Sequence, residues 1–255
     1  MKPLLRWLGL VAVAVLALQL FFVARIAAMT VIDPQSTAFQ RSEAWRVLND
    51  KGRLPWRQQW VPYAQISNNL KRAVIASEDD GFSHHEGVDW DALEKAWQKN
   101  AKAEAQAAKS QGNQATPKSA ASTKNTPPVV RPLKVVGGST ITQQLAKNLL
   151  LSGERQFLRK GQELLLALAL ETLLSKERIL EIYLNSVEWG EGVFGAEAAA
   201  QRYFKKPASK LSASEAARLA VMLPRPKYFE KLPNSSYIAG RANVIANRLN
   251  SATLP

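Results

Sequence analysis

The 255-residue sequence contains no cysteine, so neither a disulfide framework nor a thiolate metal site can be built, and the redox compartment is left open. Histidine is nearly as scarce. His84 and His85 are the only two and sit side by side, which leaves a multi-histidine metal centre without ligands. Acidic residues are short as well, 21 against 34 lysines and arginines, for a formal charge of +13. A surplus of that size suits phosphate-bearing partners, nucleic acid or anionic lipid, without choosing between them. No succession of alternating apolar and polar runs marks a sheet, so the fold class is mainly α. The length allows one good core and two lobes.

What the chain does have is one long apolar run, Trp7 to Ala24, broken only by Gly9 and Gln19. As a helix it spans roughly 27 Å, close to the ~30 Å hydrocarbon core of a bilayer. Lys2 and Arg6 precede it, so the tip stays in the cytoplasm and everything after Arg25 is exported. A cleaved signal peptide is the competing reading, disfavoured by the length of the run and the lack of a small-x-small site at its end. The expected organisation is a cytoplasmic tip and anchor over residues 1–29 and one exported domain over 30–255. A low-complexity basic insert interrupts that domain at 98–136, where seven basic residues and one acid contribute +6 of the net charge. Its Ala, Lys, Gln, Ser and Pro content predicts a disordered or mobile loop following a helix from Asp89 to about Lys99.

The stretch from Gly137 to Asn148 organises the rest. Thr140 with Gln143 three residues on forms a capping box, and the helix it starts runs through Leu151. Ile141, Leu145 and Leu149 make its apolar face, while Thr140, Gln144, Lys147 and Asn148 line the other. Hydroxyl, amide and ammonium groups beside a helix N-terminus fit a phosphorylated or polyhydroxylated ligand. A solvated surface is the plain alternative, and a DNA-reading helix-turn-helix is a sharper one, opposed by the membrane span.

Upstream, a helix from about Ser67 runs into Glu78-Asp79-Asp80, acids at the wrong end for the helix dipole. There an ionised Glu78 is destabilised by its neighbours, and with partial burial its pKa rises toward neutrality, as a general base requires. An exposed acidic turn is the alternative. His85 is expected to hold the loop that follows by hydrogen bonds. Downstream, Glu154 to Leu174 reads as a long helix with Phe157, Leu164, Leu165 and Leu168 in its core stripe. On it Arg159 and Lys160 stand one turn before Glu163 and would keep that carboxylate ionised. An ordinary intrahelical salt bridge is the competing account; with Lys147 added, an anion cradle becomes possible. Ser175 begins a helix over Lys176 to Asn185 with Ile179, Ile182 and Tyr183 as core, Ser212 with Glu215 begins another, and Ile238, Ala242, Ile245 and Leu249 face inward from the last.

Four ordered motifs then carry a resemblance. Glu78-Asp79-x-x-Phe82-x-x-His85-x-Gly87, the stretch Gly137 to Asn148, Arg159-Lys160-x-x-Glu163, and Arg178-Ile179-Leu180-Glu181-x-Tyr183-Leu184-Asn185 closely resemble the peptidoglycan glycosyltransferases, from about Leu54 through Pro226. The resemblance implies a lysozyme-like helical lobe plus a smaller membrane-facing lobe, preceded by a single transmembrane helix. It also implies polymerisation of lipid II into β-1,4-linked glycan strands, with inversion and loss of undecaprenyl pyrophosphate. Glu78 and Glu163 are then the catalytic carboxylates. Asp79, Phe82, His85, Thr140, Gln144, Lys147, Asn148, Arg159 and Lys160 fall to substrate binding or site architecture. Glu163 is a possible metal residue for a divalent cation, Mg or Mn, with no organic cofactor. The implied partners are lipid II, the lipid-linked glycan strand, the membrane, and other cell-wall synthases or division proteins, with no nucleic acid. The implied place is the bacterial inner membrane, single-pass, with the catalytic domain in the periplasm. No Ser-x-x-Lys or Lys-Thr-Gly occurs, so a penicillin-binding module has no motif here. Gly87 and Gly137 lie much farther apart than their counterparts in the family, which the fold is expected to tolerate because loop-closure cost grows slowly with length. A lysozyme-like muramidase and a non-catalytic wall-assembly scaffold are the alternative functions.

Overall fold

The structure, a computed structural model, describes residues 2–112, 138–151 and 157–255. Its elements in chain order are α1 (Lys2–Ala28), α2 (Ala38–Lys51), β1 (Arg57–Gln58), α3 (Asn68–Glu78) and α4 (Trp90–Gly112), then α5 (Ile141–Leu150), α6 (Phe157–Leu173) and α7 (Lys176–Ser186). They are followed by β2 (Glu188–Gly190), β3 (Val193–Phe194), α8 (Ala196–Phe204), α9 (Ala213–Met222), α10 (Pro226–Phe229) and α11 (Ser236–Arg248). The chain divides into two compact units, Met1–Val88 with Thr140–Pro255, and Asp89–Ser139.

In the larger unit, α3 packs on α9 and α9 on α11, while α5 packs on α6, α2 and α7. Leu70, Val74 and Ile75 of α3 meet Ile141, Leu145 and Leu149 of α5 and Ile179 and Ile182 of α7 in one continuous core. Local chemistry sets the helix starts. Thr37 with Gln40, Thr140 with Gln143, and Ser212 with Glu215 form reciprocal capping boxes, and Ser175 accepts from the N–H of Arg178. The helical expectation needs one addition, a small sheet ordered β1-β3-β2, with β1 parallel and β2 antiparallel to β3. Its turn requires glycine: Gly192 has φ +70°, and a Cβ there would lie 1.7 Å from the carbonyl oxygen of Pro55.

Helix α1 contains a stretch, Pro3–Ala28, long and apolar enough to cross a membrane. Its side chains are exposed along almost the whole length, and only at its end do Ile26 and then Met29 join the core. Two devices tie it to the rest. Gln19 and Gln162 of α6 exchange reciprocal amide hydrogen bonds of 2.9 and 3.0 Å. Arg178 of α7 donates to the carbonyls of Met29 (2.8 Å) and Ile32 (3.2 Å) and pairs with Asp33 at 2.8 Å, its guanidinium lying over Trp60.

Two expectations are corrected. The buried stripe of α6 is Glu163, Leu166, Ala167 and Leu170, whereas Leu165 and Leu168 are 57% and 43% exposed and Leu164 is half-buried. The helix is apolar almost all round, so apolarity alone does not fix its phase, and the inward face includes a carboxylate. Phe157's side chain, and the expected start of this helix at Glu154, lie outside the described residues. The helix expected to stop near Lys99 continues to Gly112, because Ala101 to Ala108 consists mainly of strong helix formers. In this second unit, Asp89 Oδ1 accepts the N–H of Ala92 at 2.8 Å, and Trp90, Leu93 and Trp97 are exposed. The reading of 113–136 as disordered falls outside the described residues.

Candidate active site

Glu78 is the last residue of α3 and is half-buried. Burial raises its pKa above the ordinary carboxylate value, Asp79 raises it further, and a hydrogen bond from Gln144 opposes both. The expected tuning is present, with a narrower cause: Asp80 points away, its carboxylate exposed and paired with Arg248 at 2.8 Å.

Asp79 caps the end of α3 and is buried. Its carboxylate takes His85 Nε2 at 2.9 and 3.1 Å and the N–H of Ile141, in the first turn of α5, at 2.9 Å. A carboxylate on the free N–H groups of a helix start satisfies an orphan donor and complements the dipole. His85 thus holds the loop by hydrogen bonds, as expected. Thr140 Oγ1 donates to the carbonyl of Gly87 at 2.6 Å, joining the end of the loop to the beginning of α5. Gly87 has φ +85°, and a Cβ there would press on the side chain of Glu171 at 3.0 Å. Phe82 is fully buried, with Lys176 Nζ 4.6 Å from its ring centre. Lys176 also donates to Glu171 (2.8 Å), which accepts from Thr142 Oγ1 (2.6 Å). Phe82, His85 and Thr140 are therefore architecture around Glu78, and Thr142, Glu171 and Lys176 belong to the same support.

Helix α5 brings this region to the cations. Gln144 Nε2 donates to Glu78 Oε2 at 3.1 Å, and Lys147, three residues on, is half-buried one turn away. Burial lowers the pKa of Lys147; Glu163 raises it, and Arg159 and Lys160 lower it, so all four charges share one neighbourhood. Glu163 is buried and bonded to Lys160 Nζ at 2.6 Å. Arg159 Nε is buried with no hydrogen-bond partner among the described residues. Asn148 stands half-buried beside Lys147.

Sequence reasoning passed over Tyr183, read there as core. It is core, 1% exposed, but its hydroxyl donates to Gln144 Oε1 at 3.0 Å. The signal was a lone phenol among the aliphatic residues of α7.

A carboxylate of raised basicity, bonded to a residue one helical turn from Lys147, could take a proton from a hydroxyl, and the grouped cations could meet the charge of an anionic leaving group. The transglycosylase family matches the chain over residues 48–114 and 121–250, and the chain belongs to that family. It is 54% identical over 254 residues to the biosynthetic peptidoglycan transglycosylase of Burkholderia thailandensis, covering 98% of this chain and 88% of that protein. Against the protein of the same name from Paraburkholderia xenovorans the identity is 50% over 254 residues, with 98% and 94% covered.

Proposed function

We propose that the chain is a peptidoglycan glycosyltransferase that polymerises lipid II, with Glu78 as general base and Lys147, Arg159 and Lys160 as the cradle for the departing pyrophosphate. The observation that carries this reading is the span of α5, which joins the raised-pKa Glu78 through Gln144 to Lys147 within one turn. The 4-hydroxyl of the acceptor GlcNAc gives its proton to Glu78 as its oxygen attacks the anomeric carbon of the lipid-linked strand from the face opposite the pyrophosphate. The anomeric C–O bond breaks, the configuration inverts, and undecaprenyl pyrophosphate leaves with its charge met by the three cations. Glu163, bonded to Lys160 and raising the basicity of Lys147, keeps that set charged and in place.

On this reading Glu163 belongs to the surrounding cations and not to a divalent metal ion. Glu163 already holds Lys160 and lies among Lys147 and Arg159, and no group of three or more potential ligands occurs among the described residues. No step is assigned to a metal. Helix α1, with Lys2 and Arg6 in its first turns ahead of the apolar run, fits a single inner-membrane span with the catalytic domain in the periplasm, where lipid-linked donor and acceptor lie in the adjoining leaflet.

Polymerisation of labelled lipid II by detergent-solubilised protein, resolved by product length, tests the proposal. Glycan ladders are expected from wild type and none from Glu78→Gln. A Glu78→Gln protein that still makes ladders removes Glu78 as base, and a folded wild type that makes none removes the reaction.

A further inference from the structure

We infer that Tyr183 is a positioning residue for the base: through Gln144 it fixes which oxygen of Glu78 is free to take the proton. The inference rests on the reading of Glu78 as general base.

The chain of hydrogen bonds has only one consistent direction. An ionised carboxylate can only accept, so Gln144 must turn its NH2 toward Glu78 Oε2, at 3.1 Å. Its carbonyl Oε1 then faces Tyr183, and the phenol must donate, at 3.0 Å. Tyr183 keeps the proton this requires, because burial, with Glu78 and Asp79 close by, pushes its pKa well above the ordinary value. Without the phenol the amide would lose the partner that holds its orientation, and its carbonyl could swing toward the carboxylate. With it, Oε2 is occupied and Oε1 receives no hydrogen bond from the described residues, which makes Oε1 the atom that accepts the proton of the attacking hydroxyl. After transfer Oε2 still accepts from Gln144, so the carboxyl need not rotate during the reaction. Asp79, capping α3, is the charged group that acts directly on Glu78; Gln144 faces it from α5, and Tyr183, from α7, acts through Gln144.

Three variants test this in the full-length protein on lipid II. Tyr183→Phe keeps the buried ring and removes only the hydroxyl. It is expected to lower kcat about tenfold, the scale of the Gln144–Glu78 hydrogen bond that it loosens, while leaving KM near wild type. The acid limb of its rate profile moves to higher pH, because a loosened Gln144 no longer holds the pKa of Glu78 down. Gln144→Met moves the same limb the same way, and adding Tyr183→Phe to it costs nothing more. Wild-type kcat and acid limb in Tyr183→Phe, or losses that add in the double variant, would overturn the inference. Should Tyr183→Phe fail to fold, an unchanged acid limb in Gln144→Met overturns it alone. Glu78→Gln run beside them separates the two ideas: inactive Glu78→Gln with unaffected Tyr183→Phe sinks only the relay, whereas active Glu78→Gln sinks the base reading beneath it.

Discussion

Glu188 lies on β2 away from the proposed chemistry, and it sets a pH dependence of stability that can be worked out in advance. The residue is 6% exposed, and among the described residues its Oε1 has no hydrogen-bond partner and its nearest cation, Lys227 Nζ, is 3.7 Å away and engaged with Glu43. Burial lifts its pKa from 4.5 to about 7; Lys227 and Arg46 pull it down, and Glu43 and Glu230 push it up. The folded state therefore binds a proton more tightly than the unfolded chain. The associated stability is fully present below pH 4.5 and is lost as pH rises through about 7. At ~1.36 kcal/mol per pH unit, that interval amounts to about 3 kcal/mol. Glu188→Gln replaces the protonated side chain with a neutral one of the same shape. It should match wild type near pH 4.5 and be about 3 kcal/mol more stable at pH 8, a rise in Tm of roughly 6–12 °C. Thermal unfolding of both proteins across this range, compared at each pH, cancels the other carboxylates, including Glu43 and Glu191, whose depressed pKa values act in the opposite sense. A pH-independent difference, or a variant less stable than wild type at pH 8, would refute the reasoning.

Two further outcomes follow from neighbouring contacts. Glu163→Gln removes the charge that raises the pKa of Lys147, so the alkaline limb of the rate profile should move to lower pH and kcat should fall; an unmoved limb would separate Glu163 from the cradle. Gln19→Leu leaves the amide of Gln162 without its partner and should cost about 1 kcal/mol in detergent unfolding, with Gln162→Leu on top recovering most of it; equal stability of the single variant and wild type would show that the pair contributes nothing.

How far these features are legible in sequence depends on the range of the forces involved. Capping is local, so Thr140 with Gln143, Ser212 with Glu215, and Ser175 declare their helices before any packing is known. The tuning of Glu78 is legible because its helix end and Asp79 are sequence neighbours, while the irrelevance of Asp80 is not, since Arg248 reaches it from the last helix. The phase of α6 is hidden, because its buried stripe contains Glu163 while Leu165 and Leu168 face out. Tyr183 reads as core for a similar reason: its burial is predictable from α7, but the use of its hydroxyl depends on where α5 places Gln144. Glu188 gives no local sign at all, since Glu43, Lys227 and Glu230 gather round it from distant parts of the chain.

The placement of the proposed base follows from a closed circuit rather than from any one contact. Glu78 and Asp79 are covalent neighbours; Asp79 accepts the N–H of Ile141 at the start of α5, and one turn later Gln144 returns to Glu78. A shift of α5 along its axis would disturb both of these bonds, so the end of α3 and the start of α5 are held in register. Lys147 rides on the same helix and keeps its distance from Glu78 by the rigidity of one further turn. Tyr183 joins α7 to that circuit, and on α7 Arg178 grips the carbonyls of Met29 and Ile32 just beyond α1. A continuous path therefore runs from Met29, just beyond the apolar helix, through Arg178 and α7 to Tyr183, Gln144 and the proposed base Glu78, by hydrogen bonds and one rigid helix.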